Sequence, residues 1–263
     1  MEFIIAVAIV AGIGLLLGLG LAIASIVLAV PKDEKAEEIL EVLPGANCGA
    51  CGFSGCSGYA AALSKGEAAP NLCAPGGADV VQAIAELTGG GAMEIERKTA
   101  MVMCGGSFDH TSDKMEYDGI QSCAAATLTG GGNTKCSYGC MGFGDCVNAC
   151  DHNAISICNG VAVVTPALCV ACTMCVKTCP RNLIDMIPVR DQAVVTCKNA
   201  DKGVITSKAC SVGCIGCMKC VKVCESDAIK VENFHASIDP AKCTNCRKCV
   251  EVCPKHCITL CVF

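Results

Sequence analysis

The first thirty residues form one uninterrupted apolar stretch. The 28 residues from Phe3 to Val30 carry no charge, and as a helix they would measure about 42 Å at 1.5 Å per residue. A bilayer core is about 30 Å thick, so the pattern predicts one transmembrane anchor over residues 1–31. A cleaved signal peptide is the alternative, but no Lys or Arg precedes the stretch, which is about twice as long as a signal peptide's apolar core.

The charges on either side of this stretch predict its orientation. Lys32 and Lys35 follow it, whereas only Glu2 precedes it. The positive-inside rule therefore places residues 32–263 on the cytoplasmic side of a single-pass protein of the cell membrane. The cytoplasm is reducing, so cysteines there are expected as metal ligands rather than disulfides.

The next segment combines two helical patterns, over residues 57–64 and 78–87, with a group of cysteines. The spacing C-x2-C-x4-C-x16-C supplies a closed set of four thiols: Cys48, Cys51, Cys56 and Cys73. Four thiolates suffice for one [4Fe–4S] cluster, with structural zinc as the alternative. The sequence thus predicts a small helical domain over residues 32–92, followed by a connector over residues 93–122.

The rest of the chain is a tandem duplication with a period of 74 residues. Nine cysteines of the first copy recur 74 positions later in the second, among them Cys123 as Cys197. Alanine, isoleucine and proline positions recur with them. This periodicity predicts two copies of one small domain, over residues 123–196 and 197–263.

Each copy carries the cysteine spacing of bacterial ferredoxins. The second half of each reads C-x2-C-x2-C-x3-C-P, a run in which three thiolates hold one cluster and the fourth ligates its neighbour. The first half of copy two has the same run without the proline. Cross-pairing then predicts three [4Fe–4S] ligand sets: Cys150, Cys169, Cys172 and Cys175; Cys214, Cys217, Cys220 and Cys253; and Cys224, Cys243, Cys246 and Cys249.

The first half of copy one departs from this run. Phe143 stands where copy two has Cys217, so one local ligand is missing. The nearest replacement is Cys136, which predicts a further set of four: Cys136, Cys140, Cys146 and Cys179. The alternative is a [3Fe–4S] cluster beside Phe143 that lacks this ligand. Together with the first domain, the prediction is five [4Fe–4S] clusters.

Composition agrees with a fold organised around metal clusters. The chain has 27 Cys in 263 residues but only 3% aromatic side chains, so clusters are expected to replace part of an aromatic core. Its net charge of −5 argues against nucleic-acid binding. β-type segments after the cysteine runs predict small hairpins. The predicted fold class is α+β: one transmembrane helix, a helical [4Fe–4S] domain and two tandem ferredoxin-like domains.

Seven cysteines are not needed as ligands in this scheme: Cys104, Cys123, Cys158, Cys197, Cys210, Cys257 and Cys261. Buried cysteine commonly behaves as a small hydrophobic side chain, and that is the expectation for most of them. The recurrence of Cys123 as Cys197 leaves a structural or ligand role open for this pair.

The uncharged N-terminal stretch, the motif LPGANCGACGFSGC with Cys73, and the ferredoxin repeats together resemble the B subunits of Rnf complexes, which are ion-translocating ferredoxin:NAD⁺ oxidoreductases. The long duplicated tail is similar to clostridial-type members. The resemblance implies an electron-transfer subunit that accepts electrons from soluble ferredoxin and relays them to membrane and flavin-bearing partner subunits, with Na⁺ or H⁺ translocation. It implies no NAD site in this chain.

Two other functions fit parts of the pattern. One is an iron–sulfur subunit of another membrane redox enzyme, such as a hydrogenase or a reductase. The other is a zinc-stabilised scaffold or assembly protein. The sequence shows no acid–base pair or substrate pocket of its own, so any enzymatic activity is expected to belong to a complex.

Overall fold

The computed structural model describes residues 2–27, 33–91 and 95–263. Within these ranges the helices are α1 (Glu2–Val27), α2 (Glu34–Val42), α3 (Cys56–Ser64), α4 (Gly77–Thr88), α5 (Cys123–Leu128), α6 (Asp145–Asn148), α7 (Met174–Thr178), α8 (Gly203–Ala209), α9 (Lys219–Lys222) and α10 (Lys248–Glu251). The strands are β1 (Lys98–Val102), β2 (Ile155–Cys158), β3 (Val161–Val164), β4 (Ile184–Pro188), β5 (Gln192–Val195), β6 (Ile229–Glu232), β7 (His235–Ile238) and β8 (Ile258–Cys261).

The N-terminal helix α1 follows the apolar stretch of the sequence. Among its exposed side chains are Leu15, Leu16 and Leu21. A search of the described residues finds no helix with both the length and the hydropathy needed to cross a membrane. Lys32 and the predicted end of the anchor at residue 31 lie outside the described residues. The transmembrane span therefore stays a prediction.

Helices α2, α3 and α4 pack together around a small buried centre. Ile39, Tyr59 and Ile84 are almost completely buried there. Asp33, at the start of α2, accepts a hydrogen bond of 2.6 Å from the hydroxyl of Ser64 at the end of α3. The two helices predicted in this region are confirmed as α3 and α4, each within one residue of the expected bounds.

Each ferredoxin-like repeat folds around two pairs of antiparallel strands. One pair is a hairpin, β2–β3 or β6–β7, and the other joins strands distant in sequence, β1–β4 or β5–β8. The hairpin turns contain Asn159 and Asn233 at φ of 47° and 48°, the conformation that two-residue turns require. The predicted β-type segments are confirmed as β2 and β6. We call residues 98–188 unit one and residues 192–261 unit two.

The strand pairing corrects two expected boundaries. β1 lies in residues 93–122, which were expected to be a connector, yet it pairs with β4, with Ala100 opposite Met186. β5 lies before residue 197, where the second copy was expected to begin, yet it pairs with β8. Pairing between strands so distant in sequence depends on tertiary contacts and leaves little local signal.

The strands also correct the alignment of the two repeats. Cys104 follows β1, and Cys197 follows β5, by the same two positions. The backbone N–H of Cys140 donates to Cys104 Sγ, and that of Cys214 donates to Cys197 Sγ, both at 3.3 Å. The structural equivalent of Cys197 is therefore Cys104 and not Cys123, which lies on α5 in a segment that unit two lacks.

The two units pack directly against each other. Met103 from unit one lies in one buried apolar group with Ile187 and Val194. The backbone N–H of Gly105 donates to the carbonyl of Thr196 at 3.0 Å across the same boundary. Cysteine runs from the two units therefore approach each other where these strands end.

Candidate metal centres

The four ferredoxin-type cysteine runs share one backbone conformation. In each run, the second cysteine position is flanked on both sides by residues with positive φ, between 55° and 82°. Phe143 occupies this position in the first run. The flanking residues are Gly142, Gly144, Ala171, Thr173, Gly216, Met218, Asn245 and Arg247. Left-handed residues within a tight loop turn neighbouring backbone N–H groups toward one side and form a nest for an anion. Four thiolates around an iron–sulfur cluster carry net negative charge, so this backbone suits such a cluster.

The first cysteine set lies in the helical domain. Burial raises the pKa of Cys73, and the nearby Cys56, Cys51 and Cys48 thiols raise it further, which shows that all four lie in one electrostatic neighbourhood. The side chain of Asn47 accepts a hydrogen bond of 2.9 Å from the backbone N–H of Cys56 and so closes the cysteine loop onto the start of α3.

One cavity of unit one gathers a second set. Cys150, Cys169, Cys172 and Cys175 all line it, as the ferredoxin cross-pairing predicts. The pKa of Cys175 is raised to about 11, mainly by burial, and the other three thiols of the set add to this rise. The backbone N–H of Ala100 on β1 donates to Cys169 Sγ at 3.4 Å. The strand missed by the sequence therefore contacts a candidate ligand.

The other cavity of unit one corrects the expectation for Cys136. Cys140, Cys146 and Cys179 line it together with Cys123 from α5, whereas Cys136 does not. Burial, followed by Cys140, Cys123 and Cys179, raises the pKa of Cys146 to about 12. The inserted helix thus supplies a thiol beside Phe143, where the local run lacks one.

The sequence contains one feature that could have pointed to Cys123 as a ligand, because the two repeats space their cysteines unequally. The segment between Cys104 and Cys136 is much longer than the segment between Cys197 and Cys210. An insertion with its own cysteine can supply a ligand from outside the run, but the sequence does not show where α5 packs.

Unit two gathers the two sets that the sequence predicts. Cys214, Cys217, Cys220 and Cys253 line one cavity, and Cys257 lines it as a fifth cysteine. The Sγ atoms of Cys253 and Cys257 are 3.6 Å apart.

The last set lies between α9 and α10. Burial raises the pKa of Cys249, and the nearby thiols of Cys243, Cys246 and Cys224 raise it further. Cys246 is exposed in this set, as Cys217 is in the other set of unit two. One cysteine of each set is therefore exposed at the surface of the protein.

Metal binding would change the electrostatics of these thiols. Burial disfavours a thiolate, and a coordinated metal reverses that preference because the thiol is deprotonated when it binds. In the described part of the chain, no three His, Cys, Asp or Glu side chains converge closely enough to hold a single metal ion. The sets of four thiols and the nests of N–H groups fit the larger [4Fe–4S] cluster, which takes four Cys ligands.

The helical domain meets unit one beside two of these sets. Lys177 on α7 donates from Nζ to the carbonyl of Cys48 at 2.6 Å. Burial raises the pKa of Cys172, and among the neighbouring thiols Cys48 adds most to that rise. The first set and the Cys172 set are therefore neighbours across the domain boundary.

Comparison with known proteins agrees with this arrangement. A family model described as "Putative Fe-S cluster" matches residues 43–75, and a "4Fe-4S dicluster domain" matches residues 213–257. The chain is 40% identical to the B subunit of the Na⁺-translocating ferredoxin:NAD⁺ oxidoreductase complex of Acetobacterium woodii, over 94% of this chain and 74% of the relative. It belongs to the family of B subunits of ion-translocating ferredoxin:NAD⁺ oxidoreductases.

Two further B subunits extend the similarity over most of both chains. The proton-translocating ferredoxin:NAD⁺ oxidoreductase complex of Clostridium ljungdahlii has one that is 40% identical over 86% of this chain and 81% of its own length. The ion-translocating oxidoreductase complex of Methanosarcina acetivorans has one that is 38% identical over 97% of both chains. These relatives confirm the family resemblance found in the sequence.

Proposed function

We propose that this chain carries electrons from reduced ferredoxin to the membrane partners of a ferredoxin:NAD⁺ oxidoreductase through five [4Fe–4S] clusters. The observation that supports the proposal is that three cavities are each lined by at least four cysteines. In each of the two remaining sets, three thiols raise the pKa of the fourth. Four sets are those predicted from spacing, and the fifth takes Cys123 in place of Cys136. As a member of this family, the chain is an iron–sulfur electron-transfer component of the complex.

The protein's own residues hold and shield these sets. A bound [4Fe–4S] cluster supplies one-electron redox chemistry, with a potential set by hydrogen bonds to sulfur, net charge and solvent exposure. Backbone N–H groups donate to candidate ligand sulfurs at Cys169 and Cys179, both at 3.4 Å. Such hydrogen bonds favour the thiolate and stabilise the reduced state.

Ferredoxin binds the surface of unit two in this proposal. The exposed ligands Cys217 and Cys246 lie next to two short helices, α9 and α10, that contact each other. The exposed basic side chains on and beside these helices are Lys219, Lys222, Arg247 and Lys248, of which Lys248 is paired with Glu225. An acidic ferredoxin would be attracted to this basic surface and would bring its cluster close to the exposed thiols.

The helical domain faces the membrane in the same proposal. It follows α1, whose apolar sequence would anchor the chain with the remaining residues in the cytoplasm. The Cys48 set is then the last before the membrane subunits, and those subunits and a flavin-bearing partner complete NAD⁺ reduction and Na⁺ or H⁺ translocation.

Metal analysis and reduction by ferredoxin test this function. The full chain would be purified anaerobically in detergent, and iron, acid-labile sulfide and zinc would be counted per chain. At least about 20 irons with equal sulfide, from four irons in each of five clusters, together with bleaching by reduced ferredoxin, would support it. Zinc with little sulfide would overturn it.

A further inference from the structure

A cavity between the two units contains four cysteines outside the five sets, and Cys140 of the neighbouring set also lines it. Cys104 and Cys136 come from unit one, and Cys197 and Cys210 come from unit two. All four are free thiols. We call this space the inter-unit cavity. The thiols come from four separate segments, so their convergence is a product of the tertiary structure.

The sulfur atoms of the inter-unit cavity are close neighbours. Cys104 Sγ and Cys210 Sγ each lie 3.5 Å from the point where a Cβ on Gly106 would stand, so they are at most twice that distance apart. A Cβ on Gly139 would similarly lie 3.4 Å from Cys136 Sγ and 3.7 Å from Cys104 Sγ. Side chains at these glycines would enter the space between the thiols.

The two units contribute equivalent pairs of cysteines. Cys104 and Cys197 follow equivalent strands, and each sulfur accepts a backbone hydrogen bond of 3.3 Å from the first cysteine of a neighbouring ferredoxin run. Cys136 and Cys210 each precede that first cysteine by four positions. The four cysteines of the inter-unit cavity are therefore two equivalent pairs, one from each unit.

A buried polar side chain also points into this cavity. Asn199 is only 1% exposed, and its Nδ2 donates to Cys136 Sγ at 3.4 Å. Its Oδ1 accepts from the backbone N–H of Asp201 at 2.7 Å and from the hydroxyl of Thr206 at 3.1 Å. These two bonds fix the amide so that its N–H faces sulfur.

Hydrogen-bond donors at three of the four sulfurs argue against inert packing. A neutral thiol is a weak acceptor, whereas a thiolate accepts strongly. Buried cysteines that only fill space need no such donors.

We propose that Cys104, Cys136, Cys197 and Cys210 bind a sixth [4Fe–4S] cluster shared by the two units. The inference rests on the proposed function, because it takes the other five sets to bind clusters of the same class. The sixth cluster would join the set containing Cys140 to the set containing Cys214, and so make one continuous electron path through both units.

The deciding variant removes the two thiols contributed by unit two. Cys197→Ala combined with Cys210→Ala leaves every cysteine of the five sets in place. The matched control combines Cys158→Ala with Cys261→Ala, one exposed and one half-buried cysteine outside all the cavities described. Iron and acid-labile sulfide would be counted per chain in the full-length anaerobic protein, and ⁵⁷Fe Mössbauer spectra would assign the iron to cubane clusters.

We expect about 24 irons and as many sulfides in the wild type and the control, from four irons in each of six clusters. The Cys197/Cys210 variant should lose about four of each. About 20 irons in the wild type, or an unchanged count in the variant, would overturn the sixth cluster while leaving the proposed function standing. Zinc in place of iron would overturn both.

A conservative variant covers the case in which the double variant does not accumulate. Cys210→Ser nearly preserves side-chain volume and should lose at least one iron or change the electron paramagnetic resonance spectrum of one cluster. An unchanged iron count and spectrum in Cys210→Ser would contradict the proposal.

Discussion

The carboxylate of Asp145 accepts a hydrogen bond of 2.9 Å from the backbone N–H of Cys123. It also accepts from the N–H of Ala124 and the hydroxyl of Ser122, both at 2.9 Å. Burial alone would raise the pKa of Asp145, but these hydrogen bonds outweigh it and lower the pKa. Because Asp145 immediately precedes Cys146, this contact brings the inserted helix α5 to the second cavity of unit one.

The first prediction concerns the ligand supplied by α5. Cys123→Ala should remove one to four irons from the set containing Cys140, while Phe143→Cys in the same chain should restore them. The restored thiol would occupy the position that Cys217 has in unit two. Iron counts and electron paramagnetic resonance spectra would measure both effects.

Cys158→Ala is the control for this experiment, because its exposed thiol lies outside the cavities described. An unchanged iron count in Cys123→Ala would show that this cavity takes its fourth ligand from elsewhere.

The second prediction concerns the carboxylate that positions α5. Asp145→Ala removes the acceptor for three donors at the start of this helix, and loss of such a cap costs about 0.5–2 kcal/mol. Hydrogen exchange should accelerate at residues 123–128 and remain unchanged in α8, which Asp145 does not contact. An equal change in the hydrogen-exchange rates of α5 and α8 would contradict the positioning role of Asp145.

The third prediction uses two adjacent glycines with positive φ. Gly132 lies at φ of 90°, and a Cβ there would stand 2.5 Å from Arg181 Nη2 and Met141 Sδ. Gly131 lies at φ of 74° with no atom within 4 Å of its Cβ position. Gly132→Ala should therefore lower the thermal midpoint more than Gly131→Ala, because only the former displaces Arg181.

The comparison of these two variants tests the hydrogen bonds of Arg181. Its guanidinium donates to the carbonyl of Cys136 at 3.0 Å and to that of Gly131 at 2.6 Å. Equal thermal midpoints for the two alanine variants would mean that backbone strain, and not the guanidinium contact, dominates the cost.

The fourth prediction concerns contact between the helical domain and unit one. Lys177→Ala removes the bond to the Cys48 carbonyl, which is exposed to solvent, and the net contribution of a typical hydrogen bond is about 0.5–1.5 kcal/mol. Hydrogen exchange at residues 48–56 should accelerate. Lys114→Ala is the matched control, since its Nζ donates to the Gly130 carbonyl at 2.8 Å in another part of the chain; similar acceleration in both variants would count against a specific contact.

The fifth prediction concerns the basic surface of unit two. Lys219→Glu combined with Arg247→Glu should slow reduction by ferredoxin about tenfold or more at low salt, and the difference should shrink as salt increases. Lys114→Glu combined with Lys135→Glu, at two exposed lysines of unit one, gives the same change in net charge and is the control. Equal slowing by the control would place ferredoxin binding elsewhere.

Sequence alone determined the parts of this protein that depend on local spacing. A cysteine run places three thiols on one loop within a few residues, and the repeated positive φ values follow from that tight geometry. The same spacing indicated the small helical domain and its four cysteines. These features, together with the motif around Cys48, were sufficient to recognise the family.

Only the tertiary structure decided which distant cysteines meet. It placed Cys123 in the cavity for which the sequence favoured Cys136, and it made Cys104 the equivalent of Cys197. It also brought together the thiols of the inter-unit cavity. Such contacts depend on how an inserted helix and two paired strands pack, and packing across long sequence separations has no counterpart in cysteine spacing.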